Sequence, residues 1–116
     1  MPRYVVLEHD HPARHWDLML EAGDVLRTWR LAAPPGADQP IGATATFEHR
    51  LAYLDYEGPI SGGRGQVVRW DAGTFTWQAD TPEEVKVYLT GGRLHGQLRL
   101  AHVGGDEWTL RFQPEA

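Results

Sequence analysis

The feature that most constrains this chain is how often it is interrupted. Thirteen glycines and eight prolines are spread along 116 residues, and the runs between them alternate apolar and polar side chains. Side chains two apart on a strand share a face, so the pattern predicts short strands with one buried face, joined by tight turns. In Trp16-Asp17-Leu18-Met19-Leu20-Glu21, one face carries Trp16, Leu18 and Leu20, and the other carries Asp17, Met19 and Glu21. From Arg93 to Leu100, residues Leu94, Gly96, Leu98 and Leu100 face in, while Arg93, His95, Gln97 and Arg99 face out. Trp108, Leu110 and Phe112 alternate with Thr109 and Arg111. Further strands are expected near residues 3–8, 25–31, 43–47, 65–70, 74–78 and 85–89.

Helical signals are sparse. Thr81-Pro82-Glu83-Glu84 has the Thr N-cap, Pro and Glu of a helix start. The strand-like run 85–89 follows at once, so one turn is the limit. The segment 32–42, with Pro34, Pro35 and Pro40, reads as the longest loop. Nothing repeats internally. About eight short strands with regular turn signals predict an all-β antiparallel fold. At this size a small closed or nearly closed barrel is expected, because closure removes exposed sheet edges.

The length is that of an ordinary single domain, so residues 1–116 are expected to form one monomeric unit. The absence of cysteine excludes disulfides, Cys-type zinc sites, iron–sulfur clusters and a thiol nucleophile. No apolar run approaches the roughly 20 residues of a membrane span. Met1-Pro2-Arg3-Tyr4-Val5 has no signal-peptide layout. A cytoplasmic protein without a membrane partner is therefore expected. A net charge of −5 argues against a general nucleic-acid coat, but not against an enzyme that grips one nucleic-acid end.

Three of the six histidines, His9, His11 and His15, fall within seven positions. His15 and Asp17 are two apart at the start of a strand, so imidazole and carboxylate share a face. His9, across a Pro-containing turn, can fold back as a third ligand. Two histidines and one carboxylate with open positions suit Mn²⁺, Fe²⁺ or Zn²⁺, and with bound water they suit phosphoester hydrolysis. The competing account has these histidines capping a turn and hydrogen-bonding locally. A second cluster runs from Glu48 to Gly58. There His49 offers a general acid or phosphate donor, Arg50 a guanidinium fork and Tyr53 a hydroxyl. An edge loop with a half-exposed tyrosine accounts for the same residues.

These residues, taken in order, resemble a known family. Glu8-His9-Asp10, His15-Trp16-Asp17-Leu18, Leu20-Glu21, Gly23-Asp24-Val25-Leu26-Arg27-Thr28-Trp29, His49-Arg50-Leu51-Ala52-Tyr53, Tyr56-Glu57-Gly58, Trp70-Asp71, Gly73-Thr74 and Gly92-Arg93-Leu94-His95-Gly96 resemble the 3′-phosphoesterase domain of bacterial DNA ligase D. The similarity runs from about Tyr4 to Arg111. It implies an eight-stranded β-barrel that removes a 3′-terminal ribonucleoside and then a 3′-phosphate from DNA, with a divalent metal, typically Mn²⁺. By resemblance, His9, His15 and Asp17 take the places of the metal ligands. His49 and Tyr53 take the places of residues that contact the scissile phosphate. DNA 3′ ends or another phosphate ester would be the substrate, with any repair proteins recruited in trans.

The chain departs from the family's pattern at telling positions. Two residues after the metal aspartate the family has a phosphate-contacting arginine; here it is Met19, on the same face as His15 and Asp17. A position often acidic is Phe47, and one that usually holds arginine is Ile41. The glycine-rich stretch Ser61–Gly65 is shorter, and the helix near Thr81 is almost gone. Two readings follow. Either catalysis persists, with Arg50 or Arg14 supplying the missing cation and His11 joining the metal shell, or the barrel keeps its metal and only binds a phosphate-bearing ligand. A third reading pairs His15-Trp16-Asp17 with His95 or His102 as the facial triad of an Fe(II) oxygenase. Trp29, Trp70, Trp77 and Trp108 read as core or rim packing, with a base-stacking platform as the alternative. Gly62-Gly63-Arg64-Gly65 reads as a hairpin turn, with a phosphate cradle as the alternative.

Overall fold

The computed structural model describes residues 1–36 and 39–116. The alternating runs become β1 (Arg3–His9), β2 (His15–Ala22), β3 (Val25–Leu31), β4 (Ile41–Arg50), β5 (Gly58–Pro59), β6 (Gln66–Asp80), β7 (Glu84–Gly91), β8 (His95–Gly104) and β9 (Glu107–Pro114). The hydrogen-bonded order is β1-β2-β3-β4-β9-β8-β7-β6, and β6 pairs back onto β1. That closes an antiparallel barrel of eight strands; the two-residue β5 hangs on β6. Closure gives each of these eight strands a hydrogen-bonded neighbour on both sides.

The alternation sorts side chains as the period predicts. Val6, Leu18, Leu20, Trp29, Leu31, Leu98 and Leu110 fill the barrel interior. The opposite face of β1–β3 is not left to solvent. Val5, Leu7, Met19, Leu26 and Val67 form a second apolar cluster outside the barrel. A 3-10 turn at Leu51–Leu54 covers it and buries Leu54 there. Arg3 pairs with Asp55 at 2.6 Å, and the Arg69 backbone N–H donates to Glu57 at 2.8 Å. These contacts hold the covering segment against β1 and β6.

Three expectations change. The two strands expected near 65–70 and 74–78 are one, β6, continuous through Asp71-Ala72-Gly73. Its partner register passes from Val6↔Asp71 to Leu7↔Arg69, so Trp70 is an unmatched bulge residue. Asp71, which falls between the two expected strands, is buried and accepts hydrogen bonds from Tyr4, Arg93 and Leu94. Thr81 caps no helix; its hydroxyl accepts from the Glu84 N–H at 3.0 Å within the turn joining β6 to β7. The helical turn lies at 51–54 instead, because Leu54 has an apolar surface to bury there. The described part of the 32–42 loop is irregular, and residues 37 and 38 of that expected loop lie outside the described residues. Among the described residues no helix is long and apolar enough to cross a membrane.

Candidate active site

The β1–β2 register sets His9 directly opposite His15, with Asp17 facing Leu7 one pleat further along. Paired residues of an antiparallel ladder point to the same face, so all three side chains converge on the outer face of the barrel. Their ligand atoms lie within 4.8 Å of one another. His15 Nε2 is 3.2 Å and His9 Nδ1 is 3.9 Å from Asp17 Oδ2. His15 and Asp17 are buried.

The far sides of both rings are tied to carbonyls. His15 Nδ1–H donates to the Ala13 carbonyl at 2.9 Å. His9 Nε2–H donates to the Arg64 carbonyl at 2.8 Å. A carbonyl only accepts, so these bonds set the tautomers. The remaining lone pairs, on His15 Nε2 and His9 Nδ1, face the Asp17 carboxylate. Two ring nitrogens and a carboxylate converging in a buried spot are held together by a shared cation, either a proton on His15 Nε2 directed at Asp17 3.2 Å away or a metal ion, and imidazoles oriented by such outer hydrogen bonds are the usual support of metal ligands. The residues present therefore fit a divalent ion.

The glycine-rich hairpin supplies one of those carbonyls. Gly65, at φ +72°, lies so close to Asp10 that a Cβ would sit 2.1 Å from its carboxylate oxygen. That approach lets Asp10 accept from the Gln66 N–H at 2.8 Å and brings the Arg64 carbonyl over His9. The segment is thus a hairpin turn, and its guanidinium is tied back to Ser61. The role of the Arg64 carbonyl has no signal in the sequence, since any residue offers one.

A cavity of about 520 Å³ opens over the cluster, lined by His9, Asp17, Met19, Arg30, Phe47, His49, Arg50 and Tyr53, among others. The second predicted cluster is therefore brought to the first. His49 lies across the sheet because β3 and β4 pair Leu26↔His49. Thr28 Oγ1 donates to the Leu26 carbonyl and accepts from His49 Nδ1–H at 2.9 Å, so Nε2 is the free nitrogen. Phe47, 76 % exposed, stacks on the His49 ring at 4.6 Å, and Tyr53 meets that ring edge-on at 5.5 Å. Burial pushes the His49 imidazole below the ordinary histidine value; Arg30 and His9 push the same way, and Asp17 and the Phe47 backbone oppose them.

The candidate cations divide. Arg14 is turned away, paired with Glu8 at 3.0 Å and stacked over Trp16. Arg50 ends β4 and borders both this cavity and a smaller one beside it, so its place at the strand end lets it share the His49 side. His11 lines the cavity mouth, its ring 6.5 Å from that of His9, outside the three-residue cluster. Met19 is 2 % exposed and forms part of the apolar floor. Ile41 packs on the barrel interior instead of facing the site. The oxygenase triad does not assemble: His95 is exposed beside Glu115, and His102 is bonded to the Gly105 carbonyl on the far strands β8 and β9. Trp29, Trp70, Trp77 and Trp108 all pack in or against the barrel interior, so they form no open stacking platform.

The fold is a closed eight-stranded barrel that carries a two-histidine, one-aspartate cluster on its outer face, and comparison with known proteins assigns its family. The family model for the DNA ligase D 3′-phosphoesterase domain matches residues 7–102. The chain belongs to that family. It is 35 % identical over 114 residues to the multifunctional non-homologous end joining DNA repair protein LigD of Mycobacterium tuberculosis, covering 90 % of this chain and 15 % of that protein. Against the LigD protein of Pseudomonas aeruginosa it is 33 % identical over 109 residues, covering 84 % of this chain and 13 % of the relative. Mycolicibacterium smegmatis LigD matches at 28 % over 124 residues, covering 91 % and 16 %. The chain thus spans about one-seventh of the length of these relatives.

Proposed function

We propose that this protein is a Mn²⁺-dependent phosphoesterase acting on 3′-phosphate or 3′-ribonucleotide ends of DNA, in end processing for repair. The observation that carries this reading is the pair of imidazole lone pairs aimed at the Asp17 carboxylate beneath an open cavity. His9, His15 and Asp17 would hold the ion, which supplies Lewis acidity and an activated water. Zn²⁺ fits the same donors. His49, oriented by Thr28, presents Nε2 to a phosphate in the cavity, and Tyr53 flanks it. The apolar floor of Leu7, Met19 and Val67 excludes water from below. Acidity of the whole chain does not oppose this, since a bound divalent ion puts positive charge at the one point where a terminal phosphate touches.

The test uses a primer–template ending in a 3′-phosphate or a single 3′-ribonucleotide, incubated with Mn²⁺. Release of phosphate or nucleoside that Asp17→Ala abolishes is the expected result. Calorimetry that finds no difference in Mn²⁺ affinity between the wild type and Asp17→Ala would remove the metal site. Met19 favours a second reading, a barrel that binds a phosphate end without turnover. That reading predicts metal-dependent binding of the 3′-phosphorylated end with no product.

A further inference from the structure

The missing cation has a structural replacement on the neighbouring strand. Arg30 sits on β3 between the inward-facing Trp29 and Leu31, so its own side chain faces out with the site. In the β2–β3 register it is directly opposite Asp17, while Met19 is opposite Thr28. Arg30 and Met19 are thus diagonal neighbours on one face, a separation that long side chains span. Arg30 lines the cavity that holds Asp17, Met19 and His49, and its charge is felt at the His49 ring. Among the described residues no carboxylate pairs with it. Of the other guanidiniums near the site, Arg14 is committed to Glu8 and Arg64 to Ser61, while Arg50 lines the cavity from the end of β4 and borders the smaller cavity as well, without standing opposite Asp17 as Arg30 does.

We propose that Arg30 binds the substrate phosphate in place of the arginine that the Met19 position lacks. The charge balance requires such a group. Asp17 and a divalent ion leave one positive charge, whereas a terminal phosphate brings nearly two negative ones. A guanidinium adds the second positive charge and offers a two-pronged fork matched to phosphate oxygens. Moving it one strand over also explains why Met19 is tolerated, since that side chain now serves the apolar floor under Leu26 and Val67.

This inference rests on the phosphoesterase reading, and the experiment separates the two. Inorganic phosphate, the product, is not turned over, so its calorimetric binding to the Mn²⁺-loaded protein reads the site without chemistry. Arg30→Gln is expected to weaken phosphate binding about tenfold and to lower kcat/KM on a 3′-phosphate end by roughly 10²-fold, while Mn²⁺ binding persists. Arg30→Lys, which keeps the charge and loses the fork, should fall between. Adding Met19→Arg to Arg30→Gln should recover at least about tenfold of the loss. Phosphate affinity and turnover unchanged within twofold in Arg30→Gln would overturn the role of Arg30 and leave the phosphoesterase reading intact. A wild-type protein that binds Mn²⁺ but neither binds phosphate nor cleaves either end would overturn both.

Discussion

Asp17 and Asp71 are the two buried aspartates among the described residues, and they are held in opposite ways. Asp71 accepts three hydrogen bonds, from Tyr4 Oη at 2.5 Å, the Arg93 N–H at 2.8 Å and the Leu94 N–H at 3.1 Å. Its charge is met by the protein's own donors; burial first, and then the hydrogen bond and charge of Asp71, hold the Tyr4 phenol protonated far above its ordinary range. Gly91 makes room for this clamp, since a Cβ there would lie 1.9 Å from the Tyr4 hydroxyl. Asp17 faces two imidazoles whose N–H groups are already bonded to backbone carbonyls. A buried carboxylate saturated by the protein's own donors is a structural element; one that faces two inward-turned imidazole nitrogens is a candidate ligand.

That contrast can be broken by experiment. The largest expected effect is on activity: Asp17→Ala should abolish Mn²⁺ binding and cost roughly 10³-fold or more in turnover, with the folded state retained in circular dichroism. Asp71→Ala should do the reverse. It orphans a buried hydroxyl and two backbone N–H groups, a loss of about 3 kcal/mol in urea unfolding, while metal affinity measured on the remaining folded protein persists. Equal loss of stability in both variants would erase the distinction. Thr28→Val removes the acceptor for His49 Nδ1–H and should lower kcat about tenfold, with little change in Mn²⁺ affinity by calorimetry. The smallest effect concerns pH. Phe47→Glu uncovers His49 and adds a negative charge, so its titration followed by NMR should move up from its depressed position. If neutral His49 is the working form, the acid limb of the rate profile moves to higher pH with it.

Much of the barrel was legible because period-two alternation reports burial directly. Val25–Leu31 and the inward set Leu94, Leu98 and Leu100 needed nothing else. The continuity of β6 was hidden because Asp71 and Gly73 carry a turn signature, and only Tyr4 on β1 and the N–H groups after Gly92 make the aspartate acceptable there. The His15–Asp17 half of the site could be read from spacing on one strand. Arg30 and Thr28 were missed because each gains its place from a partner strand, through Asp17 and His49 respectively.

Local pattern therefore determined the all-β class, the strand faces and the candidate pair His15 and Asp17, since these depend on residues a few positions apart. Tertiary structure decided which face of β1–β3 became the site. Both faces are apolar enough to bury, and only the segment 51–60, latched by Arg3 and Arg69, leaves the outer one partly open. It also decided that Arg30 stands opposite Asp17 at the cavity, because cross-strand register is set by closure of the whole barrel and by no single stretch of chain.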